Sequence, residues 1–230
     1  MKVVITRPRL DAVALRDVLL RLGHRVVDAP LLEIVPRDGV QISPLKFQAL
    51  CVTSANGVRC LTNTVDLDIA VFAVGPQSAE AARAKGFSNV SAQGGDVNGL
   101  SAFVAEKLKP GDGPLLYVAG AETSGDLAGQ LRAAGFKVER LVTYDAVAET
   151  LDGADLVDAD AVLLYSPRTA KLWVSEMQRL GMVARAAQMN HFCLSPNVAA
   201  QLPKAWRSLV AKTPTERSLL GLLENQSEEA

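Results

Sequence analysis

"LCVTSANGV" (residues 50–58) and "LLYSPRTA" (residues 163–170) decide how this chain folds. In each, an apolar run reaches a serine, Ser54 or Ser166, and then turns at once into helix-compatible sequence. A buried strand that hands a polar residue to a helix start is the local grammar of a parallel sheet covered by helices on both faces. A shift of 112 residues places Ser54 on Ser166, Val4 on Leu116, Leu15 on Leu127, Leu19 on Leu131, Gly23 on Gly135 and Val26 on Val138. A shift of 120 residues places "VFAVGPQSAEAA" (71–82) on "HFCLSPNVAAQL" (191–202), with Pro76 on Pro196, and carries Leu100 onto Leu220. The chain is therefore an internal duplication of strand–helix units.

The first unit shows how each element is read. "KVVIT" predicts a strand, and Leu15, Val18, Leu19 and Leu22 fall at helical spacing before Gly23, which suits a helix-ending position. "HRVVDAP" (24–30) then predicts a second strand. The chain runs one such unit, two further units, the first type again, and two further units again. Two parsings fit that order: successive domains divided near residue 112, or one domain inserted into the other. "LLEIVPRDG" (31–39) and "LVTYDAVAETLDG" (141–153) follow equivalent strands and stay extended, which suits two linkers running side by side. The expected fold class is α/β, two similar lobes, each a parallel sheet flanked by helices, joined by two extended β linkers.

Composition limits the function. The 230 residues carry a net charge of -1, 49% apolar and 21% charged residues, an ordinary globular balance that argues against a general nucleic-acid binder. Cys51, Cys60 and Cys193 have no metal-ligand spacing and read as free thiols of a reducing compartment. No apolar run reaches the ~20 residues of a membrane span, and the N-terminus lacks a signal-peptide pattern. A cytoplasmic protein without membrane or nucleic-acid partners is expected. GxGxxG, GxxxxGK[ST] and GxSxG are absent, and His24 and His191 are the only histidines, both in contexts that suit packing. No cofactor and no metal are expected.

Candidate ligand contacts sit at the carboxyl ends of the strands, where open α/β sheets bind ligands. They are Thr6, Arg7, Thr53, Ser54, Gly75, Ser78, Gly120, Ser166, Arg168, Ser195 and Asn197. Small polar residues ahead of helices offer hydroxyls and backbone N–H groups to anions. Ser54, Ser78, Ser166 and Ser195 serve equally well as N-caps, each stabilising its helix by about 1 kcal/mol. Arg7, Arg9, Arg37, Arg59 and Arg168 could pair with carboxylates, or be ordinary surface arginines. Tyr144, in "VTYDAV", either reaches a cleft or is a half-buried strand tyrosine with a wet hydroxyl. Tyr117 and Tyr165 read as core.

Taken in order, "ITRP" (5–8), "VTSANGV" (52–58), "AVGPQSAEAARAKG" (73–86), "LLYVAG" (115–120), "LVTYDAV" (141–147), "LLYSPRTA" (163–170) and "KTPTERSLLGLL" (212–223) resemble the uroporphyrinogen-III synthase family over nearly the whole chain. The resemblance implies the inserted arrangement, with lobe one at 1–36 plus 148–230 and lobe two at 37–147. It implies cyclisation of hydroxymethylbilane, a linear tetrapyrrole with eight carboxylates, to uroporphyrinogen III with inversion of ring D and loss of water. The substrate would lie in an interlobe cleft, and no cofactor or metal would take part. Loss of the terminal hydroxyl gives an azafulvene-type cation; ring D attacks through its substituted carbon, and the spiro intermediate fragments and recloses. Left alone, the bilane closes to the type I isomer. Tyr144 matches the family's linker tyrosine, held to assist departure of the hydroxyl as a general acid, and Ser54, Ser78 and Ser166 match hydroxyl positions of the cleft. A monomer is expected, with transient contact to hydroxymethylbilane synthase. "CLSPNVA" (193–199) departs from the family's usual glycine and threonine-alanine pair, and Ser78 stands in place of a common threonine. The fold grammar alone would also suit a non-catalytic binder of a small anion, or an interaction module that has lost activity.

Overall fold

A computed structural model describes residues 1–62, 66–93 and 95–228. The chain opens with β1 (Lys2–Ile5), α1 (Arg9–Arg21), β2 (Arg25–Asp28) and β3 (Leu32–Pro36). It continues through β4 (Ala49–Val52), α2 (Ala55–Arg59), β5 (Ala70–Ala73), α3 (Pro76–Ala84), β6 (Val90–Ala92) and α4 (Val97–Lys107). Next come β7 (Leu115–Gly120), α5 (Leu127–Ala133) and β8 (Val138–Ala148). The remainder forms β9 (Ala161–Leu164), α6 (Pro167–Arg179), α7 (Val183–Ala187), β10 (Asn190–Cys193), α8 (Pro196–Ala199), β11 (Ser208–Val210) and α9 (Glu216–Glu228). Two compact units result: unit one is Met1–Glu33 with Val147–Ala230, and unit two is Ile34–Ala146.

The sheet of unit one has the order β11-β10-β9-β1-β2, all parallel. The second sheet has the order β3-β8-β7-β4-β5-β6. Removing its edge strand β3 leaves the same order, with β7 and β8 in the places of β1 and β2. Even the register repeats. Val3 faces Val26 in one sheet and Leu115 faces Val138 in the other; Ile5 faces Leu163, and Tyr117 faces Cys51. β3, which carries "LEIV" (32–35), and β8, which carries "LVTYD" (141–145), are neighbours in the sheet, and the Arg37 N–H donates to the Thr143 carbonyl at 2.9 Å.

Strands buried on both faces explain why the central segments read as unbroken apolar runs. Every residue of β4, β7 and β9 is buried. In unit two, Leu50, Val52, Leu116 and Val118 pack with α2 and α3, while Cys51, Leu115 and Tyr117 pack with α4 and α5. In unit one, Val3, Ile5 and Leu163 meet α1 and α9, and Val4, Val162 and Leu164 meet α6 and α8. One expectation changes: α1 buries Ala12, Leu15 and Leu19, and Leu22 is 40% exposed. Leu22 lies past the last helical residue, next to Gly23 at φ +79, so the chain leaves the helical stripe before Leu22 can join it.

In each sheet the two central strands send their connections to opposite faces: β4 and β7 in unit two, β1 and β9 in unit one. Such a divergence opens a crevice beyond the carboxyl ends of the strands.

Candidate functional site

The crevice of unit two is a cleft of about 500 Å³. β4 delivers Thr53 and Ser54 to it, β7 delivers Gly120, and β8 delivers Tyr144. Asp96, Val97 and Asn98 at the start of α4, together with Glu122 to Gly125, complete the wall. Ser54 is extended at φ -146 and caps α2, its Oγ accepting from the Asn56 N–H at 3.2 Å. The Tyr144 hydroxyl donates to the same Oγ at 3.0 Å. Thr53 Oγ1 and the Tyr117 hydroxyl are 3.0 Å apart, so the core residue Tyr117 has its polar end paired with a residue of the cleft wall.

A local irregularity aims Tyr144. The β7–β8 register steps from Ala119 opposite Val142 to Gly120 opposite Tyr144, leaving Thr143 as an extra residue. Such bulges re-aim side chains. Thr143 turns inward and is 1% exposed; its hydroxyl donates to the Gly57 carbonyl at 2.9 Å. One residue thus fixes both the bulge and the helix that Ser54 caps. The Tyr144 ring covers Gly120 so closely that a Cβ there would sit 2.6 Å from Cζ. Arg140 donates to the Gly120 and Ala121 carbonyls at 2.7 Å each, and the Ala121 N–H donates to the Tyr144 carbonyl at 2.9 Å. Ring, glycine and serine are held as one assembly.

The other expected residues of unit two stand outside this cleft. Gly75 caps α3 in an extended conformation, and its neighbour Val74 lines the cleft. Ser78 is buried within the first turn of α3, 5% exposed, and is absent from the cleft wall.

Unit one treats its equivalent residues differently. Thr6 is fully buried and donates to the Leu163 carbonyl at 2.7 Å, stitching β1 to β9. Arg7 stacks over Tyr165 at 4.6 Å and donates to Glu216 Oε2 at 2.8 Å. Burial, reinforced by the Glu216 charge and opposed by Arg7, holds the Tyr165 phenol far above the usual tyrosine range. Ser166 forms a reciprocal capping box with Thr169, accepting from its N–H at 3.1 Å and donating its own N–H to Thr169 Oγ1 at 3.2 Å. Ser195 caps α8 without a side-chain bond, Asn197 is exposed with its carbonyl accepting from Gln201, and Arg168 is half-buried in the first turn of α6.

Most of the candidate arginines are already engaged within the protein. Arg37 forks onto Asp145 at 2.7 and 2.8 Å, Arg9 grips Glu149, and Arg59 donates to Asn56 Oδ1 at 2.8 Å. The hydrogen bond from Arg37 holds the Asp145 carboxyl below its ordinary value. Burial pushes the Cys51 and Cys193 thiols up to about 12, which keeps them unreactive. Among the described residues no cluster of three or more His, Cys, Asp or Glu could hold a metal, and no helix is long and apolar enough to cross a membrane.

The fold and the cleft define an α/β protein of two related doubly wound units, one of which presents a hydroxyl-lined crevice at its topological switch point. The chain belongs to the family described as uroporphyrinogen-III synthase HemD, which matches residues 13–221. The family's reaction is the cyclisation of hydroxymethylbilane in tetrapyrrole biosynthesis, a lyase reaction. The structure of uroporphyrinogen-III synthetase from Helicobacter pylori is similar at 17% identity and a TM-score of 0.68, covering 98% of this chain and 99% of that one. A mutant uroporphyrinogen III synthase from the extremely thermophilic bacterium Thermus thermophilus is similar at 14% identity and a TM-score of 0.55, with both chains fully covered. At these identities the two structures speak for the fold. No curated protein sequence matches the chain.

Thr143 and Gly57 escaped the reading of the sequence. A bulge has no local signature, and a threonine inside a strand signals only β-propensity.

Proposed function

We propose that the unit-two cleft is where the terminal hydroxyl of hydroxymethylbilane departs, with Tyr144 as the source of the proton. The observation that carries this reading is the bond from the Tyr144 hydroxyl to Ser54 on the wall of a cleft, in a ring fixed over Gly120. A general acid must lie within hydrogen-bond reach of the oxygen it protonates, directly or through one bridging group. Thr53 and Ser54 add hydroxyl contacts on the same wall. A phenol is a weak acid near pH 7, so its contribution is expected at about 10²-fold. The rest of the selectivity comes from holding the bilane in the geometry that favours attack through the substituted carbon of ring D.

The protein is further proposed to work as a monomer in the cytoplasm, taking its substrate in brief contact with hydroxymethylbilane synthase. The free thiols Cys51, Cys60 and Cys193 suit a reducing compartment. Spontaneous closure of the bilane to the type I isomer favours a short transit.

Isomer analysis of product formed from hydroxymethylbilane tests the assignment. Type III product with the wild-type chain, and a loss of about 10²-fold in kcat for Tyr144→Phe with type III still formed, are expected. A Tyr144→Phe variant that turns over at the wild-type rate would remove Tyr144 from the chemistry. Type I product alone from the wild-type chain would favour the binding-module reading.

A further inference from the structure

Ser54 is a junction whose acceptor sites are full. Its Oγ receives the Asn56 N–H at 3.2 Å and the Tyr144 hydroxyl at 3.0 Å. A serine hydroxyl offers two acceptor lone pairs and one proton. Both lone pairs are taken by the protein, so a ligand in the cleft can meet Ser54 only at its proton. The burial of the pair points the same way. Both residues line the cleft, Tyr144 at only 8% exposure and Ser54 half-buried. A phenol is a stronger hydrogen-bond donor than an alkyl hydroxyl, in keeping with Tyr144 as donor and Ser54 as acceptor.

We propose that Ser54 is the catalytic proton donor to the departing hydroxyl, and that Tyr144 is a positioning residue that acts through it. The proposal rests on the cleft being the site of dehydration, and it changes which atom touches the substrate. The Ser54 proton moves to the hydroxyl oxygen of the substrate's hydroxymethyl group as the C–O bond breaks. Water leaves with the bonding pair, and the methylene carbon is left as a cation conjugated with its pyrrole. In the same shift Tyr144 passes its proton to Ser54 and is left as phenolate. The proton that the pyrrole carbon of ring D releases at final closure returns to Tyr144. One water is expelled, and no external acid is consumed.

Groups that act as one unit are non-additive: removing the second member costs little once the first is gone. The experiment measures kcat for type III product in Tyr144→Phe, Ser54→Ala and the double variant, with melting temperature recorded for each. Each single variant should lose about 10²-fold, the double variant within about threefold of the worse single one. If loss of the cap unfolds Ser54→Ala, Ser54→Asp supplies the test, since it keeps a good capping oxygen and accepts from both donors but has no proton to give. It should show the same loss in kcat. Ser54→Ala or Ser54→Asp near the wild-type kcat, beside a slow Tyr144→Phe, would show that Tyr144 meets the substrate directly, and so would a double-variant loss of about 10⁴-fold. Tyr144→Phe at the wild-type rate would instead remove the underlying assignment together with the relay.

Discussion

The two units place a crevice at the same point of the same sheet and fill it in opposite ways. A shift of 112 residues sets Pro8 of unit one against Gly120 of unit two, Tyr165 against Thr53, and Ser166 against Ser54. In unit one the polar groups answer one another: Arg7 holds Glu216 and stacks on Tyr165, Thr6 bonds Leu163, and Ser166 closes a box with Thr169. In unit two a bulge and a glycine bring a tyrosine hydroxyl onto the equivalent serine at the edge of an open cleft. A duplicated fold supplies the same strand ends twice; chemistry needs one set left facing a ligand. Self-satisfied polar groups stabilise, and incompletely satisfied ones are where ligands bind.

The comparison makes the buried polarity of unit one a matter of stability. His191 is fully buried, stacked on Trp206 at 4.9 Å and edge-on to Trp173 at 6.4 Å, and burial lowers it to about 4. An unfolded histidine titrates near 6.5, so between these values the unfolded chain binds the extra proton. Stability should therefore be complete above about pH 6.5 and decline as pH falls toward 4, by up to about 3 kcal/mol from this residue alone. Melting curves from pH 7 to 4 should be steeper for the wild type than for His191→Phe; parallel curves would show that His191 does not titrate on unfolding.

The polarity of unit two should appear in rates. Gly120→Ala puts a Cβ where the Tyr144 ring now lies, so the ring must move off Ser54. Turnover should fall by about 10²-fold, the scale of losing the acid. Unchanged kcat would mean that the ring's place over Gly120 is incidental. Thr143 should matter less. Thr143→Val keeps the shape and removes the bond to Gly57, and kcat is expected to drop by about fivefold, the scale of one hydrogen bond near 1 kcal/mol. Thr143→Ser should recover most of it. Equal activity of Val and Ser would show that the bulge needs no hydroxyl.

Much of the architecture was legible because it was written twice. A repeat of apolar periodicity, helix-ending glycines and strand-to-serine turns needs only local sequence, and the sheet order and register reproduce it. Ser54 and Tyr144 stood out individually, but their meeting across 90 positions carries no local mark. The same holds for Arg7 and Glu216, 209 positions apart, whose pairing turns a candidate anion contact into an internal one. The burial of Ser78 was not legible, because a serine in a first helical turn looks the same in sequence whether its hydroxyl faces a cleft or the core. Tyr117 was read correctly for its ring and incompletely for its hydroxyl.

Ser54→Ala and Ser166→Ala, assayed side by side on hydroxymethylbilane, test the asymmetry most directly. Both remove a helix cap at equivalent positions, so both should lower the melting temperature by an amount corresponding to about 1 kcal/mol. Only Ser54→Ala should lose type III turnover, while Ser166→Ala keeps the wild-type kcat. If Ser166→Ala lost turnover and Ser54→Ala kept it, the reaction could not be placed in the cleft of unit two.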